Sequence, residues 1–133
     1  MLVSLAGGVG AARFLAGLVR VVAPADLVVV GNTGDDDEFH GLLVCPDLDS
    51  VTYTLGGASN RELGWGLEGE TFACLDALGR YEDNWFRLGD RDIATHLYRN
   101  RRLREGAPLS TVTAEIVAAW DLKFRLVPMS DDS

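Results

Sequence analysis

The chain has 133 residues, of which 47% are hydrophobic and 24% charged, and a formal net charge of −8. This is the length of one ordinary domain and the mix of a folded globular chain, so a disordered tail, a collagen-like fibre and a coiled coil are excluded. No run of about 18 uninterrupted apolar residues occurs, so no transmembrane helix and no membrane partner are expected. Met1 to Val22 is apolar, but it lacks a basic n-region and is interrupted by Arg13. It therefore reads as mature structure in a cytoplasmic protein rather than as a signal peptide. Two cysteines, Cys45 and Cys74, are too few for a disulfide framework, and reduced thiols are expected. Lys and Arg are absent from 21 to 60, a window that holds Asp26, Asp35, Asp36, Asp37, Glu38, Asp47 and Asp49. Those acids carry nearly all of the net charge, and the missing basic surface excludes non-specific nucleic-acid binding. By composition alone they are a solvated loop; only their place in the fold can make them a site.

In chain order, Leu2 to Leu5 is a short apolar run that ends at Gly7-Gly8-Val9-Gly10. Ala11 to Val22 has helical spacing, with Phe14, Leu15, Leu18 and Val22 on one face, and Pro24 follows as a stop. Leu27 to Val30 is a β-branched run without alternation, the pattern of a parallel strand buried on both faces. Strand, glycine-rich turn, helix and strand make a βαβ unit. After Pro46, Asp47 is placed to cap a helix carrying Leu48, Val51 and Leu55 that ends at Gly56-Gly57. Residues 58 to 69 read as a loop with Gly64-Trp65-Gly66, Glu70 to Tyr81 as an amphipathic helix with Phe72, Leu75 and Leu78 inward, and Trp85 to Leu88 as a short extended piece. Asp90 is placed to cap a helix from Arg91 to Arg104 that Gly106 terminates, and Ser110 to cap another running to Trp120. Phe124 to Val127 reads as a third strand. The expected fold is α/β, Rossmann-like and three-layered, with a mostly parallel sheet, incomplete at the C-terminus because the chain stops just after a strand.

Gly7, Gly8, Val9 and Gly10 sit where glycines let a phosphate approach the backbone and a helix N-terminus supplies N–H donors. The alternative is a tight βα turn without a ligand; the pattern is neither a full GxGxxG nor a P-loop. Gly31-Asn32-Thr33-Gly34-Asp35-Asp36 falls at the carboxyl end of the second strand, where open α/β sheets bind ligands. Hard oxygen ligands there suit Mg²⁺, which takes one or two carboxylates plus phosphates and water. Asp49 with Asp35 or Asp36 is the expected pair. Asp47 is compatible with both capping and ligation, and Asp37 and Glu38 with a solvated turn. Arg91, at a helix start, can donate to a ring carbonyl or phosphate, or be held in a salt bridge. His40 and His96 read as structural, the Cys and His spacing gives no zinc site, and Arg99, Arg101, Arg102 and Arg104 read as a solvated helix face.

These residues resemble a known family. Gly7 to Arg13, Asn32-Thr33-Gly34-Asp35-Asp36, His40-Gly41-Leu42, Cys45-Pro46-Asp47-Leu48-Asp49-Ser50, Tyr53 to Gly57, Leu88 to His96 and Pro128 to Asp132 are similar to segments of the 2-phospho-L-lactate transferases of coenzyme F420 biosynthesis. Val9, Arg13 and Cys45 look more like the actinobacterial branch than the archaeal one. The resemblance runs along the whole chain in order but covers about the first two-fifths of a typical member. It implies that 1–133 is the N-terminal part of a single Rossmann-like transferase domain. It also implies a Mg²⁺-dependent reaction in which the terminal ribityl hydroxyl of the deazaflavin Fo attacks a guanosine-diphosphate-activated phospholactate or phosphoenolpyruvate, and GMP leaves. Gly7, Gly8, Val9, Gly10, Arg13 and Asn32 would then hold nucleotide and phosphate, and Asp35, Asp36, Asp47 and Asp49 the metal. Asp49 and Arg91 would contact Fo, with Asp49 catalytic. Family members tend to be homodimers, which is the expectation for the full-length protein. The alternatives are a non-catalytic nucleotide-sugar-binding regulator from a sister family and a folded but inactive fragment.

Overall fold

The computed structural model describes residues 1–59, 66–83 and 88–132. Three parallel strands form the main sheet, in the order β1 (Leu2–Ala6), β2 (Leu27–Gly31), β5 (Arg125–Pro128). Leu2 pairs with Leu27 and Ala6 with Gly31; on the other side Val28 pairs with Arg125 and Gly31 with Pro128. Helix α1 (Gly8–Leu18) makes the crossover between β1 and β2. The chain therefore folds as the expected α/β, Rossmann-like unit with a parallel sheet.

Helix α1 begins at Gly8 rather than Ala11, because Gly8 takes φ +78°, a left-handed conformation that glycine adopts without strain. Its buried stripe is Ala12 and Leu15, with Leu18 and Val22 partly buried, while Phe14 is 62% exposed. Phe14 lies one 100° step away from the stripe, so grouping it with Leu15 was an error of phase. Along β2, Leu27, Val29 and Gly31 are buried but Val28 and Val30 are only half-buried. Their face continues onto Val3 and Leu5 of β1, which are 55% and 80% exposed. Burial of the sheet on both faces is thus not reached by the described residues. The covered face packs Leu15, Leu48, Val51, Leu109, Val117 and Phe124 against Leu27, Val29 and Leu126.

A hairpin, β3 (Asp37–Phe39) and β4 (Leu42–Val44), follows the acidic turn and was not foreseen. Its two-residue turn puts His40 at φ 54° and Gly41 at φ 79°, the left-handed pair that a tight hairpin requires. Helix α2 (Pro46–Leu55) comes next, then α3 (Ala73–Leu78), α4 (Asp90–Arg104) and α5 (Leu109–Ala119). Helix α3 is shorter than the Glu70 to Tyr81 expectation, and within it Leu75 is the buried residue. Gly106, at φ +98°, ends α4 as expected. Residues 60–65 of the 58–69 loop and 84–87, which include most of the Trp85 to Leu88 piece, lie outside the described residues. Among the described residues no helix is long and apolar enough to cross a membrane.

The three side-chain caps all differ from expectation. Asp47 makes no cap on α2, Asp90 none on α4 and Ser110 none on α5. Each of these helix starts instead exchanges hydrogen bonds with another segment. Asp131 accepts from the Ser110 N–H at 2.7 Å. Asp90 accepts from the Ala73 and Cys74 N–H groups at the start of α3, at 3.0 and 2.9 Å. Glu70 returns the favour to α4, accepting from the Arg91 and Asp92 N–H groups, each at 3.0 Å.

Candidate functional site

The carboxyl ends of β1 and β2 open onto the glycine turn, the Asn32 to Asp36 segment and the start of α2. Asp47, 4% exposed, ties the three together. Its Oδ1 accepts the Gly8 N–H at 2.5 Å, and its Oδ2 accepts from Asn32 Nδ2 at 3.0 Å. Asn32 Oδ1 in turn accepts the Gly34 N–H at 3.0 Å, which shapes the acidic turn. One backbone donor of the α1 N-terminus is therefore already taken by a carboxylate. Gly7 and Gly10 remain exposed there, Val9 lies within α1, and Arg13 is exposed. A phosphate at this turn would lie close to the negative charge of Asp47, an arrangement that needs a cation nearby.

Asp35 is exposed and Asp36 half-buried. Neither oxygen of Asp36 has a well-formed hydrogen bond among the described residues. Burial pushes its carboxyl up to about 6; the Cys45 thiol and Arg99 oppose the rise, while Asp49 and Asp47 add to it. A half-buried carboxylate of this kind is a hard oxygen donor of the type a divalent ion takes. Of Asp36, Asp47 and Asp49, Asp36 is the one without a nitrogen donor on its carboxylate, since Asp47 is engaged by Gly8 and Asn32 and Asp49 by Arg99. The Cys45 thiol is buried and raised by that burial, so it stays protonated.

Asp49 is buried, and its partners were not foreseen. Arg99, 1% exposed, donates from Nη2 to Asp49 Oδ1 and from Nη1 to Asp49 Oδ2 at 3.3 Å. Arg99 Nη1 also lies 3.2 Å from Nδ1 of His96, a residue that is fully buried. A guanidinium only donates, so His96 Nδ1 must accept and the ring proton sits on Nε2. That nitrogen lies 3.0 Å from Asp92 Oδ2. The Tyr53 hydroxyl is 2.6 Å from Asp92 Oδ1 and 2.8 Å from Thr95 Oγ1. It has one proton, which goes to the carboxylate, and it accepts from Thr95. Burial pushes Asp49 up against the pull of Arg99. For Arg99, burial works against its charge, but Asp49 outweighs that and holds it above its usual range. Burial also raises Asp92, but His96 and Tyr53 override it and the carboxyl lies below its ordinary value.

Asp49, Asp92 and His96 have ligand atoms within 4.8 Å of one another. The Arg99 guanidinium already supplies positive charge to this group, so it is a closed ion network rather than an open cage for a metal. The solvated-face reading fails for Arg99, and a usable signal was present in the sequence. Asp92, Thr95, His96 and Arg99 recur at i, i+3, i+4 and i+7, a polar stripe facing inward on α4. Arg91 is held elsewhere: its Nη2 donates to the Glu68 carbonyl and its Nε lies 3.7 Å from Glu70 Oε1.

Residues 2–133 match the family model described as 2-phospho-L-lactate transferase CofD. The chain belongs to this family. It is 54% identical over 133 residues to proteins named phosphoenolpyruvate transferase from Streptomyces griseus and Streptomyces avermitilis, matching 98% of this chain and 42% of each relative. A protein of the same name from Mycobacterium tuberculosis is 45% identical over 143 residues, matching 96% of this chain and 43% of the relative. The chain spans about two-fifths of the length of the curated relatives it matches. The polar residues brought together around Asp36, Asp47 and Asp49 are therefore those of a 2-phospho-L-lactate transferase family member.

Proposed function

We propose that the chain is the N-terminal part of a single Rossmann-like transferase domain acting in coenzyme F420 biosynthesis. In this reading a guanosine-diphosphate-activated three-carbon phosphate is attacked at phosphorus by the terminal ribityl hydroxyl of Fo, forming the new phosphodiester and releasing GMP. The relatives' name favours phosphoenolpyruvate over phospholactate as the three-carbon group.

The observation that carries the reading is the half-buried Asp36 carboxylate, which feels the charges of Asp47 and Asp49 next to the glycine turn. Phosphoryl-type transfer asks a protein chiefly for positioning and for neutralised charge. Asp36, with Asp47 or Asp49, would hold Mg²⁺, whose contribution is to offset the charge of the diphosphate. Backbone N–H groups at the start of α1 would bind phosphate oxygens, and Asp47 fixes the turn that presents them. Asp49, with both oxygens facing Arg99, orients the acceptor side of the site. Arg91 reaches Fo by leaving its contacts with Glu68 and Glu70.

The test is to incubate the protein with Mg²⁺, Fo and guanosine-diphosphate-activated phosphoenolpyruvate and follow the deazaflavin product and GMP by mass spectrometry. Formation of both, lost with EDTA, is expected. Tight binding of a uridine-diphosphate sugar with no binding of Fo would refute the reading and establish a nucleotide-sugar regulator.

A further inference from the structure

We propose that Arg99 is a positioning residue, which fixes the plane of the Asp49 carboxylate and is itself locked from behind by His96 and Asp92. The inference rests on the transferase reading for its consequence in turnover, and on the contact geometry of these side chains for the lock.

Stability does not account for a guanidinium that is 1% exposed. A buried ion pair returns little more than its desolvation removes, and apolar side chains of similar volume usually serve as well. Geometry does account for it. The planar fork meets both oxygens of Asp49 and leaves that carboxylate one orientation, which a single ammonium could not impose. The fork is in turn held in plane, because Nη1 also donates to His96 Nδ1 at 3.2 Å. Turning the ring over would put the Cδ2–H where that acceptor stands and carry Nε2 away from Asp92, whose Oδ2 lies 3.0 Å off though not aligned for a hydrogen bond. Asp92 is anchored to α2 through Tyr53, the residue one turn after Asp49. The path from Asp49 through Arg99, His96, Asp92 and Tyr53 thus closes on the helix where it began. Asp36 lies within the field of Arg99.

The test pairs kinetics with nitrogen and carbon NMR of the same protein. Arg99→Lys keeps the charge and removes the fork. It should lower kcat about tenfold or more, leave both KM values within about threefold, and leave the thermal midpoint nearly unchanged, since a misplacement of about 1 Å suffices for such a loss. Wild-type kcat in Arg99→Lys, or a loss confined to KM, would overturn the proposal. Independently of turnover, wild-type His96 at neutral pH should show a bare Nδ1 and a protonated Nε2, and the Asp49 carboxyl carbon line should move in Arg99→Lys. A protonated Nδ1 in the wild type would overturn the proposal even if the variant did not fold. A wild-type protein that shows this tautomer but transfers nothing would sink the transferase reading and leave the lock standing.

Discussion

Replacing Asp36 by Asn removes one half-buried carboxylate from an acidic group and leaves its shape almost unchanged. Its carboxyl is raised from an ordinary 3.8 to about 6, mainly by burial. The folded chain therefore holds that proton more tightly than the unfolded one. Asp36 favours folding below pH about 3.8, and this contribution is lost as the pH rises through about 6. A shift of that size corresponds to about 3 kcal/mol, and solvent screening of a half-exposed group reduces it to about 1–2 kcal/mol. In urea unfolding followed by circular dichroism in EDTA, Asp36→Asn should exceed the wild type by that amount at pH 7.5. The difference should shrink to a few tenths of a kcal/mol at pH 4. Saturating Mg²⁺ should raise the wild-type midpoint and leave the variant where it was, because a ligand of the native state stabilises it. A difference that is the same at both pH values, or a variant that responds fully to Mg²⁺, would refute the reasoning.

Three further substitutions probe the frame. A Cβ at Gly31 would stand 2.5 Å from Leu48 Cδ2, so Gly31→Ala forces the Leu48 side chain to repack against the sheet and should cost about 1–3 kcal/mol in urea unfolding. Asn100 accepts from the Leu43 N–H at 3.0 Å and donates to the Leu43 carbonyl at 3.3 Å, acting as a side-chain partner for β4. Asn100→Ala should therefore abolish hydrogen-exchange protection of the Leu43 amide and cost about 1–2 kcal/mol. Glu70→Ala removes the acceptor of two N–H groups at the start of α4. It should cost about 1 kcal/mol, measured by thermal melting, with Arg91 freed from its Glu70 contact.

The βαβ core was legible because its signals are local: an apolar run, glycines, a 3.6-residue stripe, a second apolar run. The positions of the glycine turn and the acidic turn after β1 and β2 were legible in the same way. The hairpin was missed because strands of three residues carry no period, and His40-Gly41 was its single local sign. Arg99 was missed because four arginines close together suggest one solvated face. Arg101 and Arg104 are exposed and Arg102 pairs with Glu115, so the fourth behaves differently for reasons set by α2. The caps were misassigned for a related reason. Asp47, Asp90 and Ser110 stand where a local cap would, but a helix N–H accepts a carboxylate from any segment that reaches it, and sequence does not show which one does. Asp49 was expected as a metal and acceptor-side acid, and the structure pairs it with Arg99, 50 positions away, a partner that no local pattern points to.

Helices α3 and α4 begin by capping one another, Asp90 of the second serving the first and Glu70, just before the first, serving the second. Neither can fray from its front end without stranding the other's amides. The two starts should therefore melt and reform as one cooperative unit, and any ligand that draws Arg91 away from Glu70 would be felt at Cys74, on the far side of that handshake.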